Sequence, residues 1–121
     1  MDIQWPLING KPDLDYALLD FGTVYSNSRY VQASPFGNNT PVICWVEILV
    51  NGRWFATGNL SDMTSHSITR FVVSGYVESE GVVVQTGKTS LHGGTNVGDL
   101  YNPGTLVTSA PCRVHVWRLV A

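Results

Sequence analysis

The sequence predicts an all-β protein: a single-domain antiparallel β-sandwich or jelly-roll-like fold with at most one short N-terminal helix. Three observations predict it. Runs of β-branched and aromatic residues are short and separated by turn residues, Asn-Gly pairs stand between such runs, and helical spacing of apolar residues occurs only once. The domain organisation expected is an N-terminal arm over residues 1–12 and a β-sandwich over residues 13–121.

The arm, MDIQWPLINGKP, carries Trp5 and Pro6 and a tight-turn signal at Asn9-Gly10. From Asp13, the residues Leu14, Ala17, Leu18 and Phe21 fall at helical spacing, with Asp13 as N-cap and Gly22 as stop, so one short helix is expected here. The following TVYSNSRYVQA reads as one strand of mixed polarity, and SPFGNNTP as a loop. Residues 42–58, VICWVEILVNGRWFATG, are the most strongly patterned stretch. Asn51-Gly52 joins two strand-like runs, and a type I′ turn needs two residues that tolerate positive φ. A two-residue loop sets Val50 opposite Arg53, Leu49 opposite Trp54 and Ile48 opposite Phe55. Cys44, Val46, Ile48, Val50 and Phe55 then share one face, and Ile43, Trp45, Leu49 and Trp54 the other, interrupted by Glu47. Two apolar faces require two covering layers, and the second is expected to come from another subunit.

Beyond the hairpin, NLSDMTSHS is turn-like and ITRFVVSGYVES is a strand, with Phe71 and Val73 on one side and Val72 and Tyr76 on the other. Glu80-Gly81 turns into the strand VVVQTG. Residues 87–105 are rich in Gly and small polar residues without periodicity, as functional or mobile loops are. In the closing APCRVHVWRLVA, Cys112, Val114 and Val116 alternate with Arg113, His115 and Trp117, the mark of a half-buried strand.

Composition excludes several function classes. Of the 121 residues only 13% are charged, and the net charge of −2 comes with scattered basic residues, which argues against nucleic-acid binding. The longest apolar run contains Glu47 and is far shorter than the roughly 20 residues of a membrane span, so no membrane insertion is expected. The start Met1-Asp2 lacks a signal-peptide pattern, and synthesis in a cytoplasm is expected. Cys44 and Cys112 are accordingly expected to be buried thiols, a disulfide between neighbouring strands being the alternative.

No motif identifies a reaction, and neither enzymatic activity nor a cofactor or metal is expected. Gly87-Lys88-Thr89 resembles the end of a P-loop, but Gly81 lies one position too far upstream and no helix start follows. His92-Gly93-Gly94 suggests an oxyanion-hole loop, yet no nucleophile elbow exists. His66, His92 and His115 are too scattered for a zinc site, and Asp13, Asp15 and Asp20 lack the pattern of a calcium loop. Glu47 is the one charge of interest: desolvation between Trp45 and Leu49 is expected to raise its pKa, as in a catalytic acid. The structural alternative pairs it with Arg70, Arg113 or a neighbouring subunit's arginine. Asn38 and Asn59 begin glycosylation sequons, relevant only in a secreted protein. Trp5, Tyr25, Tyr30, Tyr101 and Trp117 suit either packing or a sugar platform.

Two segments carry a resemblance. Val24-Tyr25-Ser26-Asn27, followed by Pro41-Val42-Ile43 and Val50-Asn51-Gly52, and then the closing strand 112–119, resemble small structural proteins of tailed bacteriophages, of the tail-fibre or receptor-binding β-domain type. The resemblance implies a homotrimeric β-sandwich in the virion, assembled in the host cytoplasm with other virion proteins, its loops contacting a glycan or protein of the host surface. It carries no catalytic residues, and the arm and residues 87–105 have no counterpart in it. The expected function is a tail-fibre or tail-tip component, the alternatives being a capsid decoration protein and a carbohydrate-binding module. Trp45, Glu47, Leu49, Trp54 and Trp5 are the expected subunit interface. His92, Asn96, Asp99, Tyr101 and Asn102 are the expected ligand loop.

Overall fold

Alternation of inward valines with outward polar or aromatic residues organises the chain into two facing antiparallel sheets. The computed structural model describes residues 7–8, 11–12, 15–56, 69–92, 101 and 103–119. Among these, the strands are β1 (Leu7–Ile8), β2 (Lys11–Pro12), β3 (Tyr16–Tyr25), β4 (Arg29–Gln32), β5 (Val42–Val50), β6 (Arg53–Phe55), β7 (Val72–Val77), β8 (Gly81–Thr86) and β9 (Ser109–Arg118). One sheet has the order β3-β9-β5-β6, the other β4-β8-β7, and β1 pairs with β2. The fold is an all-β sandwich, as expected.

The core lies between the sheets. Val42, Val46 and Ile48 of β5, Cys112, Val114 and Val116 of β9, and Val24 of β3 meet Val72, Val82 and Val84 of the opposing sheet. Ten of the core side chains are fully out of solvent, and burying a valine stabilises by roughly 1.5–3 kcal/mol. The hairpin has the expected register, with Ile48 opposite Phe55, Leu49 opposite Trp54 and Val50 opposite Arg53. Asn51 and Gly52 both have positive φ, 54° and 77°, as a type I′ turn demands.

The helix expected near residues 13–21 is not formed where the chain is described: Tyr16–Tyr25 is a ten-residue strand. It pairs along its length with β9, from Tyr16 opposite Trp117 to Tyr25 opposite Ser109. Ladder pairing over a buried strand outweighs the weak local preference of a single helical repeat. Gly22 is not a helix stop. It follows a bulge between Asp20 and Gly22, where its φ of 66° suits the left-handed backbone, and its N–H donates to Asp20 Oδ1 at 2.7 Å. The strand expected over TVYSNSRYVQA is two strands in different sheets, because the chain bends at Ser26 and Asn27, the latter at φ 56°. Thr86 Oγ1 donates to the Tyr25 carbonyl at 2.6 Å and accepts the Ser28 N–H at 2.9 Å, fastening this corner to β8.

Residues 87–92 are only partly on the surface, with Lys88 and Thr89 exposed. Ser90, Leu91 and His92 are buried, and Leu91 N–H donates to the Val107 carbonyl at 2.7 Å. Asn38 Oδ1 accepts the Ser34 N–H at 2.8 Å, so the first sequon asparagine closes its own loop. The turn expected at Asn9-Gly10 lies outside the described residues; Ile8 pairs with Lys11 and Leu7 with Pro12. The polar segment 59–67, with Asn59, lies outside them too.

Both cysteines are free thiols. Cys44 pairs with Val116 and Cys112 with Ile48, so the two lie four residues apart along adjacent strands. At about 3.3 Å per residue that is roughly 13 Å, beyond disulfide reach. Burial pushes the Cys112 thiol up to about 12 and also raises Cys44, where Ser74 offsets part of the effect. Cys112 is therefore expected to stay unreactive toward a disulfide reagent in the native protein and to titrate only after unfolding, while reductant leaves the melting temperature unchanged. Rapid native labelling of Cys112, identified by peptide mass, would contradict this placement.

Candidate functional site

The outer face of the four-stranded sheet holds the structure's clearest polar constellation. Because β3, β9 and β5 are in register, Tyr16, Trp117 and Ile43 form one cross-strand row, Leu18, His115 and Trp45 the next, and Asp20, Arg113 and Glu47 the third. Leu49 and Trp54 continue the face onto β6. The alternation that buries Cys112, Val114 and Val116 thus delivers Arg113, His115 and Trp117 to the opposite side.

Glu47 Oε1 accepts hydrogen bonds from Arg113 Nε at 2.7 Å and His115 Nε2 at 2.9 Å. A carboxylate can only accept, so the proton on Nε2 is fixed and, in the neutral ring, Nδ1 is the acceptor. In that neutral form Tyr16 OH donates to Nδ1 at 2.6 Å. The Arg113 guanidinium lies 4.0 Å over the Trp54 ring, a cation–π contact. His115 also stacks with Trp117, 5.9 Å between ring centres.

The expectation that Glu47 has a raised pKa is corrected by this geometry. Burial alone pushes it up, but the hydrogen bonds and positive charge of His115 and Arg113 outweigh that and hold it below the ordinary 4.5. Glu47 is a paired carboxylate, suited to organising the face rather than donating a proton. The series Tyr16–His115–Glu47 has the connectivity of a catalytic triad, with tyrosine in the nucleophile's place. Its terminal residue is nevertheless only 4% exposed. Burial pushes the Tyr16 phenol above 10.0, and the charge of Glu47 adds to that against the opposing pull of Arg113. An activated nucleophile needs a lowered pKa and access to substrate.

Of the expected interface residues, Trp45, Glu47, Leu49 and Trp54 come together on this face, whereas Trp5 lies outside the described residues. Sequence reasoning had Arg113 among the partners of Glu47 but missed His115 and Tyr16. Alternation in β9 places His115 on the same side as Arg113. Tyr16 was hidden by the helical reading of its strand.

Of the expected ligand loop, Asn96, Asp99 and Asn102 lie outside the described residues. His92 and Tyr101 do meet: His92 Nε2–H donates to the Tyr101 carbonyl, and both rings contact Phe55 edge-on. With His92 3% exposed, its ring is committed to packing. Elsewhere, Asp15 pairs with Arg118 at 2.9 Å and Arg29 with Glu80 at 2.8 Å. Among the described residues no group of His, Cys, Asp or Glu could hold a metal, and no helix is long and apolar enough to cross a membrane. Compared with protein-family models, curated proteins and solved structures, the chain finds no match.

Proposed function

We propose that this chain is a structural protein of a tailed-bacteriophage virion, a tail-fibre or tail-tip component that works by assembly and contributes to host-surface attachment. The observation that carries the assembly reading is the outer face of the β3-β9-β5-β6 sheet. On it Ile43 is 51% exposed, Leu18 47% and Trp54 36%, around a charge pair that is already neutralised. A monomer gains nothing from an aromatic face whose central acid, Glu47, is tied to arginine and histidine. A subunit interface uses both features, because apolar area supplies affinity and a central carboxylate already paired with a cation of its own chain avoids the cost of an unpaired charge. The tail assignment rests on the resemblance of the strand sequences.

The test is labelling of purified particles from the virus that encodes the chain. Gold-labelled antibody at the tail tip is the expected result. Labelling over the capsid would move the protein to head decoration, and absence of the chain from purified particles would defeat the proposal.

A further inference from the structure

We infer that the outer face of the four-stranded sheet binds the same face of a second copy of this chain, across a twofold axis beside the Glu47–Arg113 pair. The inference rests on the assembly reading and adds the partner and the symmetry. Charge is the first reason. Arg113 spends Nε on Glu47 Oε1, which His115 also uses, while among the described residues the terminal nitrogens of Arg113 and Glu47 Oε2 make no hydrogen bond. Among the described residues the centre of the face therefore offers an acceptor, Glu47 Oε2, beside the charged terminal donors of Arg113. A twofold axis brings each copy's terminal N–H groups to the other's Oε2, satisfying both kinds of group twice, since isologous contacts are reciprocal.

Position is the second reason. β9 and β5 are the two inner strands of the sheet, and Arg113 and Glu47 stand opposite each other midway along them. Leu49 and Trp54 occupy the row on one side of the pair and Leu18 and Trp45 the row on the other, with Asp20 beside Arg113 on β3 and Ile43 one row further out. A polar centre flanked by apolar side chains is how stable interfaces exclude water from their strongest contacts. Extent is the third. Strands of about eight residues at 3.3 Å, spaced about 4.8 Å apart, give a face of roughly 450 Å² and a contact of roughly 900 Å² over two copies. That is near the roughly 1,000 Å² lower limit for a specific contact, so a dimer with a micromolar dissociation constant fits the size.

Sedimentation velocity on the full chain from about 1 to 100 μM tests this. A reversible monomer–dimer equilibrium is expected. Glu47→Arg and Arg113→Glu should each weaken self-association at least tenfold, because like charges then meet at the axis. Mixing the two variants should restore a dimer, since the doubly positive face of one meets the doubly negative face of the other. If either charge variant lacks the wild-type near-ultraviolet circular dichroism, Ile43→Asp, at an exposed position, replaces it and should also give monomer. Failure of the folded mixture to associate overturns the inference. So does a wild-type trimer, which leaves the virion assignment standing, and so does a wild-type monomer at 100 μM. A monomer whose tryptophan fluorescence shifts with added oligosaccharide gives the face to a glycan instead. Tail-tip labelling in any of these cases shows that only the twofold contact has failed.

Discussion

Gly87→Ala is expected to lower stability by about 3 kcal/mol or more, enough to unfold much of the protein at moderate temperature. Gly87 follows β8, where the chain passes between residues 69–71 and Ser90. A β-carbon added there would stand 2.4 Å from the Thr69 carbonyl oxygen and 2.7 Å from both Phe71 N and the Ser90 carbonyl oxygen. All three are backbone atoms in hydrogen-bonded segments, with no flexible side chain to move aside. Gly87 N–H donates to the Phe71 carbonyl at 2.8 Å, and its own carbonyl accepts the Asn27 N–H at 2.6 Å. Relieving the clash therefore breaks contacts on both sides. For a domain of this size about 3 kcal/mol corresponds to a fall of roughly 10 °C in the melting temperature. Gly75→Ala is the matched control: nothing lies within 4 Å of its added β-carbon. It sits in β7, where alanine costs less backbone entropy than glycine, so its melting temperature should hold or rise slightly. Equal losses for the two variants would mean that the chain around Gly87 is looser than the structure has it.

The contrast between these glycines shows what was legible in the sequence. Asn51-Gly52 announced itself, because an Asn-Gly turn between apolar runs is decided by two neighbouring residues whose φ values come out positive. The alternation in Cys112, Val114 and Val116 was equally local, and from it followed the inward and outward sides of β9. Gly87 looked like part of a flexible glycine-rich stretch. Its constraint comes from Thr69, Phe71 and Ser90, two of which precede it by more than a dozen residues, and no local pattern reports such an approach. Tyr16 failed for the opposite reason. Its segment has a helical spacing, but a ten-residue partner in β9, nearly a hundred residues away, claims it as a strand. The face carrying Glu47 was legible as apolar and interrupted by one acid. The sign of that acid's pKa shift was not, because it depends on Arg113 and His115 arriving at cross-strand positions that only the sheet order defines.

That sign fixes how the protein should respond to acid. The folded-state pKa of Glu47 is held below its ordinary 4.5, so the unfolded chain binds the proton at a pH where the folded one does not. Stability from the ionised carboxylate is then fully present above pH 4.5 and is lost as pH falls through the lower folded value. Glu47→Gln keeps the shape of the side chain and removes its titration. It should cost about 2 kcal/mol at neutral pH, since hydrogen bonds to charged groups contribute about 1.5–3 kcal/mol each and the amide retains part of one. Arg113 would keep its stacking on Trp54 but lose the countercharge 2.7 Å from Nε. Urea unfolding at pH 7, 5, 4 and 3 should show the wild type well above the variant at pH 7 and the two curves converging toward pH 3. The pairs of Asp15 with Arg118 and Glu80 with Arg29 are the same in both proteins and cancel in the difference. A difference that stays constant across this range would show that the Glu47 carboxylate is not held ionised by Arg113 and His115. A difference that grows toward acid would reverse the sign of the shift and return Glu47 to the desolvated acid that its neighbours Trp45 and Leu49 suggest.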